Sequence, residues 1–267
     1  MIQPTLHFYD FGEGVKAFSS TRKRGCSEGN YAEFNINHYC GDSEDAIQIN
    51  RTSLCQYLGI SNDRLIMPHQ VHQTEIVAID EAFLRLSADE QKARLEGVDA
   101  LMTGVAGVCI GVSTADCIPV LVYDKVQRVS CAIHAGWRGT VKRIVEKAVE
   151  TMISVYGLRP SDLLAQIGPG IHLESFEVGD EVYETFAHEG FEMESISRRY
   201  PASDGSSITK WHIDLPECNR LQLLSKGIPQ SQISVSKICT FQQSDTYFSA
   251  RRLGINSGRI FTGILML

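Results

Sequence analysis

Apolar residues crowd most densely between Val108 and Val141 (VCIGVSTADCIPVLVYDKVQRVSCAIHAGWRGTV). Short, nearly continuous apolar runs bounded by turn residues read as buried strands. This stretch therefore predicts two or three buried strands feeding a helix. The helix follows as VKRIVEKAVETMISVYG: Val141, Ile144, Val145, Ala148 and Ile153 share one side, Lys142, Glu146, Lys147 and Glu150 lie elsewhere, and Gly157 stops it. Upstream, residues 1–20 mix polar and apolar positions and read as short strands around Gly12 and Gly14, and residues 21–42 have loop composition. Ser43 to Leu58 predicts a helix with Ser43 as N-cap, Asp45 in its first turn and Gly59 at its stop. Residues 64–79 predict a strand, a break at Pro68, and a second strand alternating from His69 to Ile79. Residues 81–97 are charged, with the look of a surface insertion, before VDALMTG leads back to the apolar centre.

Downstream, LLAQIGPGI predicts another buried strand ending in a Gly-Pro-Gly turn, and ESFEVGDEVYETFAHE a helix. Residues 190–210 read as loop, a helix is expected from about Pro216 to a stop at Gly227, QISVSKICT reads as a strand, FQQSDTYFSARRLGINSG as a polar loop, and RIFTGILML as the closing strand. There is no fixed-period repeat and no linker composition. The expected organisation is a single α+β domain over residues 1–267.

Composition narrows the class. The chain has 267 residues, 43% hydrophobic and 21% charged, as expected of a soluble globular protein. No apolar run approaches the roughly 18 residues a membrane helix needs. The N-terminus MIQPTLHFYDFGEG lacks a basic start followed by an apolar block, which predicts a cytoplasmic protein with no membrane partner. A net charge of −7 argues against a nucleic-acid partner, because phosphate backbones are bound by clustered basic faces. The eight cysteines include no CxxC pair and are expected to be reduced.

Candidate chemistry sits in the apolar centre. Cys117 and His134 are polar residues flanked by small ones, Ala115 before Cys117 and then Ala135 and Gly136 after His134. With His72 they could supply the three protein ligands of a catalytic zinc, which keeps a fourth position for water. Plain core packing and a Cys–His nucleophilic dyad fit the same residues. Gly136, Arg138, Gly139 and Thr140 stand where the helix should begin, so free backbone amides and a guanidinium could cradle an anion there. Arg251 and Arg252 form a third basic candidate, and Arg51 lies within the first helix. GxGxxG, GxxxxGK[ST] and the cytidine-deaminase zinc pattern are absent.

Taken together, QVHQ (70–73), VDALMT (98–103), TADCIPVLVYD (114–124), AIHAGWRGTV (132–141), IGPGI (167–171), FEVGDEV (176–182), CT (239–240) and YFSARR (247–252) resemble the YfiH-type proteins, long labelled multicopper polyphenol oxidoreductases or laccase-domain proteins. The resemblance implies a layered α/β/β/α fold with mixed sheets, similar to a deamidase toxin's catalytic domain. It implies zinc held by His72, Cys117 and His134 as the catalytic triad. It also implies purine nucleoside phosphorylase activity on adenosine, inosine and methylthioadenosine, with adenosine deamination, so that a purine nucleoside and phosphate are the partners. Asn35 and Arg51 match family positions, whereas NINHYCGD departs from the family's N-L-G-x-H-V-G-D pattern. Laccase chemistry is disfavoured on physical grounds. A multicopper oxidase needs about ten ligands, mostly paired histidines, whereas this chain has eight histidines and no HxH pair; one small N/S site suits zinc better than copper. Phosphate is expected near the helix start, with Arg138, Gly136, Arg51, Asn35 and Arg251 as candidate contacts. Asp116, Asp99 and Cys239 are candidate proton donors to the leaving purine. A Cys117–His134 hydrolase or deamidase and a non-enzymatic binding protein are the alternatives.

Overall fold

The structure, a computed structural model, describes residues 3–202, 205 and 208–267. Two large sheets form its centre. The first runs Leu6–Tyr9 (β1), Val15–Ser20 (β2), Ile260–Met266 (β14), Cys109–Thr114 (β6), Leu65–Ile66 (β3) in spatial order. The second runs Ile233–Val235 (β13), Leu163–Ile167 (β9), Ile118–Asp124 (β7), Val129–Ala135 (β8), Ala100–Thr103 (β5), Ile76–Ala78 (β4). Both mix parallel and antiparallel pairs. A smaller sheet joins Glu177–Val178 (β10), Thr209–Ile213 (β12) and Ser197–Pro201 (β11).

Side-chain alternation along the central strands sorts the core into layers. Leu121 and Tyr123 of β7 and Ala132 of β8 meet Ile110 and Val112 of β6 and Ile264 and Met266 of β14, filling the space between the sheets. Val120, Val122, Cys131 and Ile133 point the other way, onto Ile144, Val145, Ala148 and Met152 of the Ile144–Tyr156 helix and Cys218 and Leu223 of the Leu215–Ser225 helix. On the far side of the first sheet, Phe18, Cys109, Phe261 and Leu265 pack on Leu54, Cys55 and Leu58 of the Glu44–Leu58 helix. The result is helix, sheet, sheet, helix, the layering that the family resemblance implied for an α+β chain. Continuous burial of β6, β7 and β8 follows from their being covered on both faces.

Several local expectations hold. The Glu44–Leu58 helix follows Ser43 and ends on Gly59 in the left-handed region, φ 79°. Others are corrected. Alternation from His69 to Ile79 suggested a strand, but the strand is confined to Ile76–Ala78, with an isolated bridge at His69, because the amides of residues 71–73 are bonded elsewhere. Residues 81–97 are no surface insertion: Glu81–Leu84 and Ala88–Arg94 are short helices, the second with a Ser87–Glu90 capping box, and they bury Phe83 and Leu95. The long helix begins at Ile144, since Arg143 at φ 64° separates it from a five-residue helix, Trp137–Val141. The expected helix before residue 190 is confined to Asp180–His188. The expected 190–210 loop contains the Met193–Ile196 helix and most of the β11–β12 hairpin; its residues 203, 204, 206 and 207 lie outside the described residues.

Glycine at two facing positions controls how the first sheet packs. Gly111 and Gly263 pair across β6 and β14, and the Phe261 ring lies over both. A Cβ on Gly111 would meet that ring and come 2.7 Å from the Thr262 carbonyl oxygen. Gly111→Ala should therefore lower unfolding stability by about 1–3 kcal/mol, as overpacking does. Adding Phe261→Leu should recover part of the loss. Urea denaturation of the single and double variants checks both outcomes.

Candidate metal and active site

His72, Cys117 and His134 come from three separate places and converge. Their ligand atoms lie within 4.8 Å of one another, and the two imidazole rings meet edge to face at 4.8 Å. Cys117 occupies the link where the chain leaves β6 in one sheet and enters β7 in the other. That link turns sharply at Asp116, φ 84°, and is tied down from three sides. Thr240 Oγ1 and the Arg251 amide each donate to the Asp116 carboxylate at 2.7 Å, and the Asp116 carbonyl accepts from the Ile171 amide at 2.8 Å. His134 sits near the end of β8, opposite Pro119 of β7. His72 projects from the irregular segment before β4, with φ 62°.

One buried carboxylate organises the last two. Asp99 Oδ1 bonds His134 Nδ1 at 2.7 Å and the His72 amide at 3.0 Å. Asp99 Oδ2 accepts from the Gln73 amide at 2.7 Å and the Val71 amide at 3.3 Å. Asp99 thus sets the His72 backbone and the His134 ring at once, turning His134 Nε2 toward Cys117. A carboxylate behind a histidine is the arrangement that fixes ring orientation and raises ligand basicity at metal sites. Burial opposes the Asp99 charge, but the His134 contact and the amide donors outweigh it, and the carboxyl is held below its usual range. Burial likewise opposes a Cys117 thiolate, yet the facing His134 and His72 imidazoles pull the thiol well down; thiolate and Asp99 together push His134 up against its burial. A metal ligand must be deprotonated thiolate, and this thiol is the depressed one.

The donor set leaves room for an ion and little else. A Cβ on Gly136 would stand 2.8 Å from His72 Cδ2, 2.9 Å from Cys117 Sγ and 3.7 Å from His134 Nε2. Only glycine fits there. Two imidazoles and a thiolate suit zinc by ligand chemistry. Above them opens a cleft of about 340 Å³ whose walls include Tyr39, His69, Gln70, Ser113 and Arg259. The Arg259 guanidinium is splayed by bonds to the carbonyls of Ile255, Ser257 and Gly258.

The remaining sequence candidates disperse. Gly136 abuts the triad and precedes a five-residue helix, Trp137–Val141, whose Thr140 amide donates to the Gly136 carbonyl. Arg138 is exposed and lies over the Trp137 ring, 4.3 Å from its centroid, outside the cleft. Arg51 donates to the Leu65 carbonyl at 3.0 Å and lines an adjoining cavity of about 350 Å³ with His38, Asn62 and Lys92; Tyr39 lines both cavities. Asn35 is fully buried and structural: its Nδ2 donates to Asp42 and its Oδ1 accepts from the Asn37 and Arg259 amides. Arg251 contributes its amide to Asp116, while its side chain reaches the Glu177 carbonyl beside Phe176. As proton donors, Asp99 and Asp116 are committed to the bonds above, and Cys239 is buried against Ser175 outside the cleft. The eight cysteines are free thiols. Arg259 and His69 were missed in the sequence, where neither lies in an apolar context that marks it.

The chain matches, over residues 16–267, the family model described as multi-copper polyphenol oxidoreductase laccase. It belongs to this family. It is 46% identical over 252 residues to a purine nucleoside phosphorylase of Bacteroides thetaiotaomicron, covering 94% of this chain and 92% of the relative. It is 44% identical to adenosine deaminase RL5 from an unknown prokaryotic organism, covering 97% of each. The crystal structure of a hypothetical protein YfiH from Bacillus licheniformis superposes with a TM-score of 0.89 at 27% identity, covering 99% of this chain and 97% of that one. The laccase-family description and the relatives' names point to different chemistries. Among the described residues a single cluster of three such donors is present, too few for several copper centres.

Asp99→Asn should cost about 3 kcal/mol of unfolding stability, because it weakens a buried charged network. The pH dependence has a definite sign. A carboxyl held low in the folded state stabilises fully above its unfolded pKa of about 3.9, and that contribution disappears as pH falls through the lower folded value. The gap between wild type and Asp99→Asn should therefore be widest between about pH 5 and 6.5, shrink below about pH 4, and shrink again above about pH 6.5 as His134, pushed up to about 9 in part by Asp99, loses its proton, as read by denaturant titrations at each pH.

Proposed function

We propose that this chain is a zinc-dependent purine nucleoside phosphorylase, taking adenosine, inosine and methylthioadenosine and also deaminating adenosine, in the cytoplasm. The observation that carries the reading is the convergence of His72, Cys117 and His134 at the floor of a nucleoside-sized cleft. The names of its two relatives supply the reaction classes. A cleft of about 340 Å³ lies within the usual range for small-ligand sites.

Zinc held by the triad would supply a Lewis acid and a nucleophilic hydroxide near neutral pH. The chain's own residues do the rest. Asp99 holds His134 and the His72 segment in place, so the donors need not reorganise on binding. Phosphorolysis breaks the bond between C1′ and the purine nitrogen while a phosphate oxygen bonds C1′ and positive charge builds on the sugar. Phosphate needs cations, and the arginines placed to serve are Arg259 on the cleft wall and Arg51 behind Tyr39, in place of Arg138. Tyr39 presents an aromatic wall to a base.

A second reading has one observation in its favour: the depressed Cys117 thiol beside an elevated His134 is how a nucleophilic dyad is built. Metal content separates the two, since a thiolate bound to zinc is not free to attack.

Purified protein should carry one zinc per chain by elemental analysis and release adenine or hypoxanthine with ribose 1-phosphate from nucleosides in phosphate buffer. Cys117→Ala, His134→Ala and Gly136→Ala should each lower zinc affinity by about 10- to 100-fold or more and turnover with it. Protein that is fully zinc-loaded yet releases no base, or variants that turn over as wild type does, would overturn the reading. Covalent labelling of Cys117 in metal-free, active protein would establish the dyad instead.

A further inference from the structure

A departing purine needs a proton. As the C1′–N9 bond breaks, its electron pair moves into the base, and protonation at N7 makes the base a far better leaving group. The donors named from sequence are committed elsewhere, as shown above. Among the described residues, the titratable cleft side chains outside the triad are Tyr39, Cys40, His69 and Arg259. Burial and nearby Glu96 push the Tyr39 phenol above its usual range. Burial also raises the Cys40 thiol, whose proton is directed at the Asn37 carbonyl at 3.3 Å. Arginine does not release its proton in proteins. His69 remains, and an imidazolium can give up its Nε2 proton while Nδ1–H stays on a carboxylate.

Its setting is built for the task. His69 Nδ1 meets Glu96 Oε1 at 2.7 Å, which fixes Nδ1 as the protonated, donating nitrogen. The Tyr39 ring stacks on the imidazole at 4.0 Å between centroids and 18° between planes, which fixes its tilt. The backbone is held too: the His69 amide donates to the Leu95 carbonyl, and the Gly97 amide donates to the His69 carbonyl, each at 3.0 Å. Nε2 has no protein partner among the described residues. An imidazole on a cleft wall, oriented by a carboxylate at the far nitrogen, follows the acid–orienter logic of catalytic triads. The helices of residues 81–94 thereby gain a role, since they deliver Glu96.

We propose that His69, oriented by Glu96 and Tyr39, is the general acid that protonates the leaving purine. This rests on the phosphorylase reading. His69 starts as imidazolium, bonded through Nδ1–H to Glu96. Its Nε2 proton passes to purine N7 as the C1′–N9 pair moves into the base and phosphate bonds C1′. Neutral imidazole remains, still donating from Nδ1 to Glu96, and regains its proton from water at the one-third exposed side chain.

Leaving-group dependence tests the role. 7-Methylinosine already carries the positive charge that N7 protonation would create, so it departs without an acid. His69→Gln should lower kcat/KM for inosine by about 10²- to 10³-fold while 7-methylinosine stays within about threefold of wild type. Glu96→Gln, at an exposed carboxylate, should show the same split at about tenfold. Unchanged inosine turnover in His69→Gln overturns the proposal. So does an equal loss on both substrates accompanied by no split in Glu96→Gln. If wild type cleaves neither nucleoside, the phosphorylase reading itself fails and takes this role with it; an active wild type without the split rejects His69 alone.

Discussion

The Asp99 carboxylate is the interaction on which the site depends. It sits just before β5, fully buried, and accepts from three successive amides and one imidazole. A carboxylate in an apolar interior is costly unless several donors surround it. Here the donors are the same groups that must be placed for chemistry. Satisfying Asp99 curls residues 71–73 out of any strand ladder, puts His72 into the left-handed region, and fixes His134 Nδ1. One electrostatic requirement thus sets two of three ligands, and the His134 amide bonding to the Asp99 carbonyl at 2.8 Å locks the two strand ends together.

The third ligand depends on the layered architecture. Cys117 lies where the chain changes sheets, and such a crossing needs a sharp turn. Asp116 makes it with φ 84° and recruits Thr240, the Arg251 amide and the Ile171 amide to hold it. Two of the three candidate ligands therefore stand at the ends of fully buried strands, Cys117 just before β7 and His134 within β8. The rigidity comes from apolar burial on both faces of those strands. Gly136 then completes the cavity by lacking a side chain.

Much of this was legible along the chain. Apolar density identified β6, β7 and β8, and the small residues around Cys117 and His134 marked positions where something other than packing was being accommodated. The helix amphipathicity was also informative, since Ile144, Val145 and Ala148 of the expected face meet the sheet, with Ile153 only partly buried beside them. What failed has identifiable causes. Alternation between His69 and Ile79 is a local signal, and a carboxylate 27 residues away overrode it. Arg138 looked like an anion ligand because it stands at a helix start, but its guanidinium lies over the Trp137 ring and not in the cleft. Asn35 sits in the right neighbourhood, yet its polar atoms serve Asp42 and the Asn37 and Arg259 amides around it. Hydrogen bonding between distant segments, which no periodicity encodes, decided the first and last of these cases.

The floor and the walls of the cleft obey different constraints. The floor is set by strand register: shifting β7 against β8 by one residue would turn Cys117 or His134 away and expose a core face, so it has no freedom to vary without unfolding. The walls come from connections with their own local anchors. Tyr39 rides on a loop held by Asn37, His69 on a bridge to Glu96, and Arg259 on a turn of its own carbonyls. Substitutions there need repair only local bonds. A chain built this way keeps its three converging donors fixed while the walls of the cleft are adjusted separately. Two relatives of nearly equal identity to this chain, one named a phosphorylase and the other a deaminase, fit that division. On the reading proposed above, the choice between attack at the sugar and attack at the base would fall to the walls, through where they hold the nucleoside over the same three residues.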